Sequence, residues 1–483
     1  MNKYKKLVSN TAILGLGTFS SKVLVYLLMR LYTACLTTEE YSSADLLTQT
    51  ATLLMPLAVC GITDAIFRFT LDRADDTKKH TVFSTGLTIM IFSSLVFLAL
   101  SPLLFFADGF FSGHTWIIIV YVLVANFHSA VSVYIRGRGE MVLYAAQGLM
   151  NTAIVIGLNI LFLPILDLGV VGYVSSIMIA DASVTVFLVI KKRLWKHYSV
   201  KLFDKETAVS MLRYSLPLIP TLIFWWITAL SDRFMIIGML SGPLGESGAK
   251  AANGLYSAAQ KLPTIITLLT NIFLDAWNFS AVTESEDKQA RADFFTEIFR
   301  PFSALLLIAG GGIILFSDLL TNIMVDASFS ESARFVPILV CSTVFSGLAS
   351  FLGSVYTVEK KSSMSLVTSM VAAIANIILN IILIPVIGAM GAAISTALSY
   401  LLMLAIRLVN SRAFIPFKVD FKVLLPSTAI ITAASVWMSL LLPGRYIAAS
   451  VSLALLCFIN RKSILPVAET VFSVVKKKIV NKS

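Results

Sequence analysis

The chain is predicted to be an all-α polytopic membrane protein of about 14 transmembrane helices, and three observations predict it. Of its 483 residues 57% are hydrophobic and only 13% charged, against about 25% charged in an ordinary soluble domain; mean hydropathy is +0.85. Apolar runs of about 20 residues recur from Asn10 onward, each long enough at about 1.5 Å per residue to cross a hydrocarbon core of about 30 Å. Lys and Arg gather in every second loop between those runs.

Taken in order, the spans fall near 10–32, 43–66, 82–106, 115–135, 142–163, 170–190, 215–240, 254–278, 301–317, 335–356, 365–385, 389–408, 423–442 and 446–460. The opening MNKYKK and its apolar run superficially resemble a secretion signal, but no small-residue cleavage site follows and many spans do, so it reads as a retained first helix. The last span, at about 22 Å as a helix, is either short or re-entrant. With the N-terminus inside, the inner loops hold 31 of the 38 Lys and Arg, including all of RLVNSRAFIPFK from Arg407. The outer loops hold three, Lys250, Arg334 and Arg445, together with acids such as Glu39, Glu40, Asp167 and Glu246. That alternation places both termini in the cytoplasm. The net charge of +11 therefore reports topology rather than nucleic-acid binding. Cys35, Cys60, Cys341 and Cys457 stand singly, with no metal or disulfide spacing, and read as small core residues. The tail from Arg461, with Pro466 at a helix start and Lys476 to Lys478 near its end, reads either as an amphipathic helix on the inner leaflet or as a solvated basic tail.

An internal repeat divides the chain. Asn159-Ile-Leu-Phe-Leu-Pro164 followed by Gly169 and Gly172 matches Asn380-Ile-Ile-Leu-Ile-Pro385 followed by Gly388 and Gly391; Tyr134 matches Tyr356, and Tyr41-Ser-x-Ala44 matches Tyr256-Ser-x-Ala259. The order is the same and the offsets nearly equal. The expected lobes are 1–205 and 206–412, six helices each and in parallel orientation, followed by two further helices at 413–460 and a basic tail at 461–483.

No nucleotide-binding or catalytic motif occurs, and outer loops of at most about 17 residues are too small for an active-site domain, so neither an enzyme nor a cofactor is indicated. What remains is charge inside spans. Lys22 and Asp181 lie about 12 and 11 residues into their spans, near the bilayer middle, where a charge costs about 2.5 to 3.5 kcal/mol unless it meets a partner or water. A Lys22–Asp181 pair locking two helices is the plainer alternative to a functional role. His128 lies about 10 Å from the inner side, as a helix contact or a proton carrier. Arg30 and Arg233 lie near outer span ends, where snorkelling is cheap, and Asp232 offers Arg233 a neutralising neighbour. Lys261 is about 10 Å inside the outer face. Asp45, Asp64, Asp275, Arg68, Arg136 and Arg213 read as solvated or topological. Pro217, Pro220 and Pro263 would kink the seventh and eighth spans, and Trp225, Trp226 and Trp277 read as packing or interface residues.

The stretches LGTFSSKVLVYLLMRLYTACLTTEEYSSADL, ITDAIFRF, YSLPLIPTLIFWWITALSDRF, LYSAAQKLP, DAWNFS and NIILIPVIGAMGAA resemble polysaccharide flippases of the multidrug/oligosaccharidyl-lipid/polysaccharide exporter superfamily, the Wzx-like translocases of O-antigen and capsule repeat units. The chain departs from that pattern at Ser42, where Gly is usual, and at Gln260. The resemblance implies two six-helix lobes forming a V-shaped cavity and two additional helices in a bacterial plasma membrane. It implies transport of an undecaprenyl-pyrophosphate-linked oligosaccharide from inner to outer leaflet, glycan polymerases or glycosyltransferases as partners, and cavity cations that meet the pyrophosphate. Lys22, Arg30, Arg233 and Lys261 are the positions for those cations, and Asp181 and His128 the candidates for ion coupling. A lipid II flippase and a cation-coupled multidrug exporter of the same superfamily are the rival readings, although an exporter of cations would favour acidic spans.

Overall fold

The computed structural model describes residues 28–71, 75–283, 288–359 and 361–480, and over these it is helical with no strand. Eleven of the described helices are long and apolar enough to cross a membrane, or up to twelve with one bent pair counted as a span. The predicted first span, 10–32, lies mostly outside the described residues. Contacts divide the chain into two compact units: unit 1 runs to Ile237 and includes Ser241–Gly254 and Met324–Ser328, while unit 2 holds Gly238–Leu240, Leu255–Ile323 and Phe329 onward.

Unit 1 begins with α1 (28–35) and α2 (Thr38–Ala58). The TTEE sequence builds a capping box, with Glu40 N donating to Thr37 Oγ1 at 3.2 Å and Thr37 N to Glu40 Oε2 at 2.9 Å. Here the structure departs from an expected continuous span at 43–66. The chain breaks after Ala58 and bends by 61° into α3 (Ile62–Leu71). Cys60 and Gly61 take positive φ there, and the Cys60 carbonyl released by the break accepts the Ser215 hydroxyl at 2.8 Å. Next come α4 (Asp76–Leu100), α5 (Thr115–Gly137), α6 (Met141–Phe162), α7 (Gly169–Lys192) and α8 (Lys205–Ser215). Large apolar side chains such as Phe92 and Phe106 on and after α4 remain exposed, as they can where the solvent is lipid. The helix α9 (Ile219–Ala259) bends at Gly245, between the expected seventh and eighth spans, where φ is 73° and ψ 167°.

Unit 2 contains α10 (Thr264–Thr283), α11 (Lys288–Leu315), α12 (Ser317–Met324), α13 (Val336–Val358), α14 (Ser362–Ile387), α15 (Ala389–Phe414), α16 (Phe421–Ser439) and α17 (Arg445–Val480). The expected eighth span, 254–278, is interrupted by a turn at 260–263, which ends at Pro263. The core helix is α13: its Gly347 leaves room for Leu306 and Thr270, and its Phe351 stacks with Trp277 (4.9 Å) and Phe302 (5.3 Å). Trp277 is buried and donates to Ser354 Oγ at 2.8 Å, so it packs as expected. At the C-terminal end, 445–465 forms an apolar helical span of 21 residues, longer than the 15 expected, because helix continues through the basic residues into the tail. Cys341 is buried, but Cys457 is exposed on α17 and is no core residue.

The repeat positions play matching parts within each unit. Tyr41, Tyr134, Tyr256 and Tyr356 are all fully buried, as are Asn159 and Asn380. Gly169 and Gly388 both take positive φ where a helix begins, and a Cβ on Gly172 or Gly391 would press on the backbone at the end of the preceding helix.

Candidate functional site

Unit 1 buries two charged assemblies. In the first, Arg233 on α9 forms an ion pair with Asp45 on α2, both side chains 3% exposed. This corrects the expectation of a snorkelling Arg233 and a solvated Asp45. Position along a span measures depth in the bilayer, whereas burial depends on which helix face meets a neighbour. The ion pair reaches Asp45 across 188 residues of chain, and Asp232 is buried too. The chain around the pair holds α2 and α9 together. Trp226 Nε1 donates to the Gln49 carbonyl at 3.2 Å and Asn253 Nδ2 to Ser42 Oγ at 2.8 Å, and a Cβ on Gly254 would collide with the Thr38 carbonyl. A buried pair of this kind balances its charge locally, while loss of either member strands the other in a medium that cannot solvate it.

The second assembly joins α5, α6 and α7. Asp181 Oδ1 accepts from Asn151 Nδ2 at 2.7 Å, and His128 Nε2 lies 3.9 Å from the same oxygen. The Thr185 hydroxyl donates its proton to the Asp181 carbonyl at 2.6 Å and therefore accepts from His128 Nδ1, 3.0 Å away. That assignment leaves His128 Nε2 toward the carboxylate, 3.9 Å away and beyond a direct hydrogen bond, with two groups that can each take up a proton. The coupling candidates Asp181 and His128 are thus brought together, on helices whose sequence-equivalent positions in the second half are Leu401 and Ser350.

The other predicted cations are placed differently. Lys22 lies outside the described residues. Arg30 is exposed on α1, with Nη1 3.5 Å from the Val325 carbonyl. Lys261 belongs to unit 2 and sits half-buried in the turn at 260–263 instead of within a helix.

Sequence reasoning missed Asp45, Asn151 and Arg407. A signal for Asp45 was present: the repeat that aligns Tyr41-Ser-x-Ala44 with Tyr256-Ser-x-Ala259 sets Gln260 opposite it, so one copy carries an acid that the other lacks. Arg407, expected in an inner loop, instead lies inside α15 and is 5% exposed. Its guanidinium donates to Thr368 Oγ1 (3.0 Å), the Ala349 carbonyl (2.8 Å) and Ser369 Oγ (3.1 Å), in space that Gly353 leaves open. Among the described residues no group of three His, Cys, Asp or Glu is arranged to hold a metal.

Charge held inside apolar spans is costly and marks these two assemblies as candidate functional sites of an all-helical membrane fold. The sequence profile of the family described as "Polysaccharide biosynthesis protein" matches residues 7–278, more than half of the chain, and the chain belongs to that family. No curated protein matches it by sequence. Solved structures do. An inward-facing multidrug resistance MATE family transporter of the MOP superfamily is 14% identical, with a TM-score of 0.67 over 82% of this chain and 94% of that one. The lipid II flippase MurJ in an inward closed conformation is 13% identical, with a TM-score of 0.68 over 94% and 100%. A MOP superfamily transporter from Pyrococcus furiosus is 12% identical, with a TM-score of 0.55 over 85% and 95%. At such identities these likenesses show a shared fold.

Proposed function

We propose that the protein flips polyprenyl-pyrophosphate-linked oligosaccharide units from the inner to the outer leaflet of a bacterial plasma membrane by alternating access, with both termini in the cytoplasm. The observation that carries this reading is a polysaccharide-biosynthesis family chain built on a MATE- and MurJ-like fold. The halves 1–205 and 206–412 act as the two lobes, with the helices of 413–460 as an addition. Lys22, Arg30 and Lys261 meet the pyrophosphate, because a diphosphate leaving water needs fixed cations and the polyprenyl tail can stay in lipid. Arg233 joins them only when Asp45 releases it. Asp181 and His128 carry the coupling proton. Glycan polymerases or glycosyltransferases would work on the two sides of this step.

The test is flipping of a lipid-linked oligosaccharide by the protein reconstituted in vesicles. Lys22→Ala is expected to abolish flipping while the protein still folds; unchanged flipping would remove Lys22 from the mechanism. Likeness to MurJ and to MATE transporters supports two further readings, transport of lipid II and export of cationic compounds. Movement of either substrate by the same vesicles, with the lipid-linked oligosaccharide left in place, would favour that reading over ours.

A further inference from the structure

Unit 1 contains a cavity of about 750 Å³, well within the 300–1,000 Å³ typical of small-molecule sites, at the end that the proposed topology assigns to the exterior. Four separated stretches of chain converge on it: the start of α2, the turn before α5, the start of α7 and the part of α9 beyond its bend. No Phe, Tyr or Trp lines it; His114 supplies its one ring, and most of its lining side chains are hydroxyls or carboxylates. The only ammonium among them, Lys250 Nζ, is already engaged by Glu246 Oε1 at 2.6 Å and Ser112 Oγ at 3.0 Å. Ser112 is in turn 3.0 Å from Ser43 Oγ, and Glu39 accepts from the Ser247 hydroxyl, so the wall is cross-braced before any ligand enters.

The chemistry of this wall restricts its ligand. Ionised carboxylates only accept hydrogen bonds, so Glu39, Glu40 and Asp167 require a ligand that donates. A phosphate or an acidic sugar offers acceptors and like charge to these carboxylates, and the charge of Lys250 is already balanced by Glu246. A lipophilic cation would want the faces of Phe, Tyr or Trp, and none of these lines the cavity, whose aliphatic side chains are Leu168 and Val170. A metal ion needs several acids gathered on one point, and the described residues make no such group. A sugar whose hydroxyls or amine donate around the whole ring satisfies all these conditions. We infer that this cavity is a subsite for neutral or amine-bearing sugars that excludes acidic ones, and so sets which glycans the protein accepts. The inference rests on the flippase reading for its biological use, but the binding it describes can be measured without transport.

The experiment uses the purified full-length protein in detergent, with saturation-transfer NMR and titration of three soluble trisaccharides: a glucosamine trimer, an N-acetylglucosamine trimer and a galacturonate trimer. The amine-bearing and neutral trimers are expected to bind, the acidic one at least tenfold more weakly. Glu39→Gln combined with Asp167→Asn is expected to narrow that gap at least threefold. Equal binding of the acidic trimer, or no binding of any trimer by protein that still flips lipid-linked oligosaccharide, would overturn the inference. Binding with the expected preference in protein that flips no such lipid would uphold the subsite and reject the flippase reading instead.

Discussion

Asp45 and Arg233 are each too deeply buried to be solvated alone, so each depends on the other. Removing one takes from the other the charge it is paired with, a loss of about 3–5 kcal/mol, whereas replacing both with apolar residues of similar size is close to neutral. Asp45→Leu or Arg233→Met alone should therefore lower the unfolding midpoint in detergent far more than the two together. A double variant as unstable as the sum of the single ones would show that the ion pair is not the relevant contact. Neither residue alone announced this dependence. Both stand in apolar runs near span ends, and only the packing of α2 on α9 decides that they meet. Asn151 was equally silent, since an amide in an apolar run is unremarkable until a carboxylate is found beside it.

At the scale of elements, α13, α14 and α15 are joined by Arg407, whose planar fork reaches four acceptors on two neighbouring helices. A lysine carries the same charge but cannot repeat that geometry. Arg407→Lys is expected to cost about 2 kcal/mol, as a charged hydrogen bond is lost, read as a lower thermal midpoint. An unchanged midpoint would mean that charge alone suffices. The loop after α7 carries a pH response. Burial, followed by the like charges of His80 and Arg138, pulls His197 from its ordinary 6.5 down to about 4. His197 stacks on His80 at 4.1 Å, and its Nδ1 lies 3.3 Å from Tyr134 Oη. Between pH 6.5 and about 4 the unfolded chain binds a proton at His197 that the folded chain does not, so stability falls as pH drops through that window and levels off below it. The thermal midpoint should fall more from pH 7 to pH 5 in the wild type than in His197→Gln. Equal falls would place the pH response elsewhere.

For the whole molecule, the pairing of His128 with Asp181 belongs to the first half of the chain, because the repeat keeps the helices and not these side chains. If transport is driven through it, Asp181→Asn should leave lipid-linked oligosaccharide bound but flatten the dependence of flipping on an imposed pH gradient. A variant that responds to the gradient as the wild type does would separate this site from coupling.

Composition, span length and loop charge determined by themselves that this is a helical membrane protein, because the bilayer imposes its thickness and polarity on each segment independently of its neighbours. The family resemblance was legible in the same way, through short stretches such as LYSAAQKLP and NIILIPVIGAMGAA, whose Tyr256, Asn380 and Gly391 do the same local work as Tyr41, Asn159 and Gly172 in the other copy of the repeat. The break at Cys60–Gly61, the Asp45–Arg233 pair, the His128–Asp181 site and the acid-walled cavity were decided only by tertiary structure. Each depends on which helix face meets which partner across up to two hundred residues of chain, and hydropathy along a sequence carries depth but no azimuth.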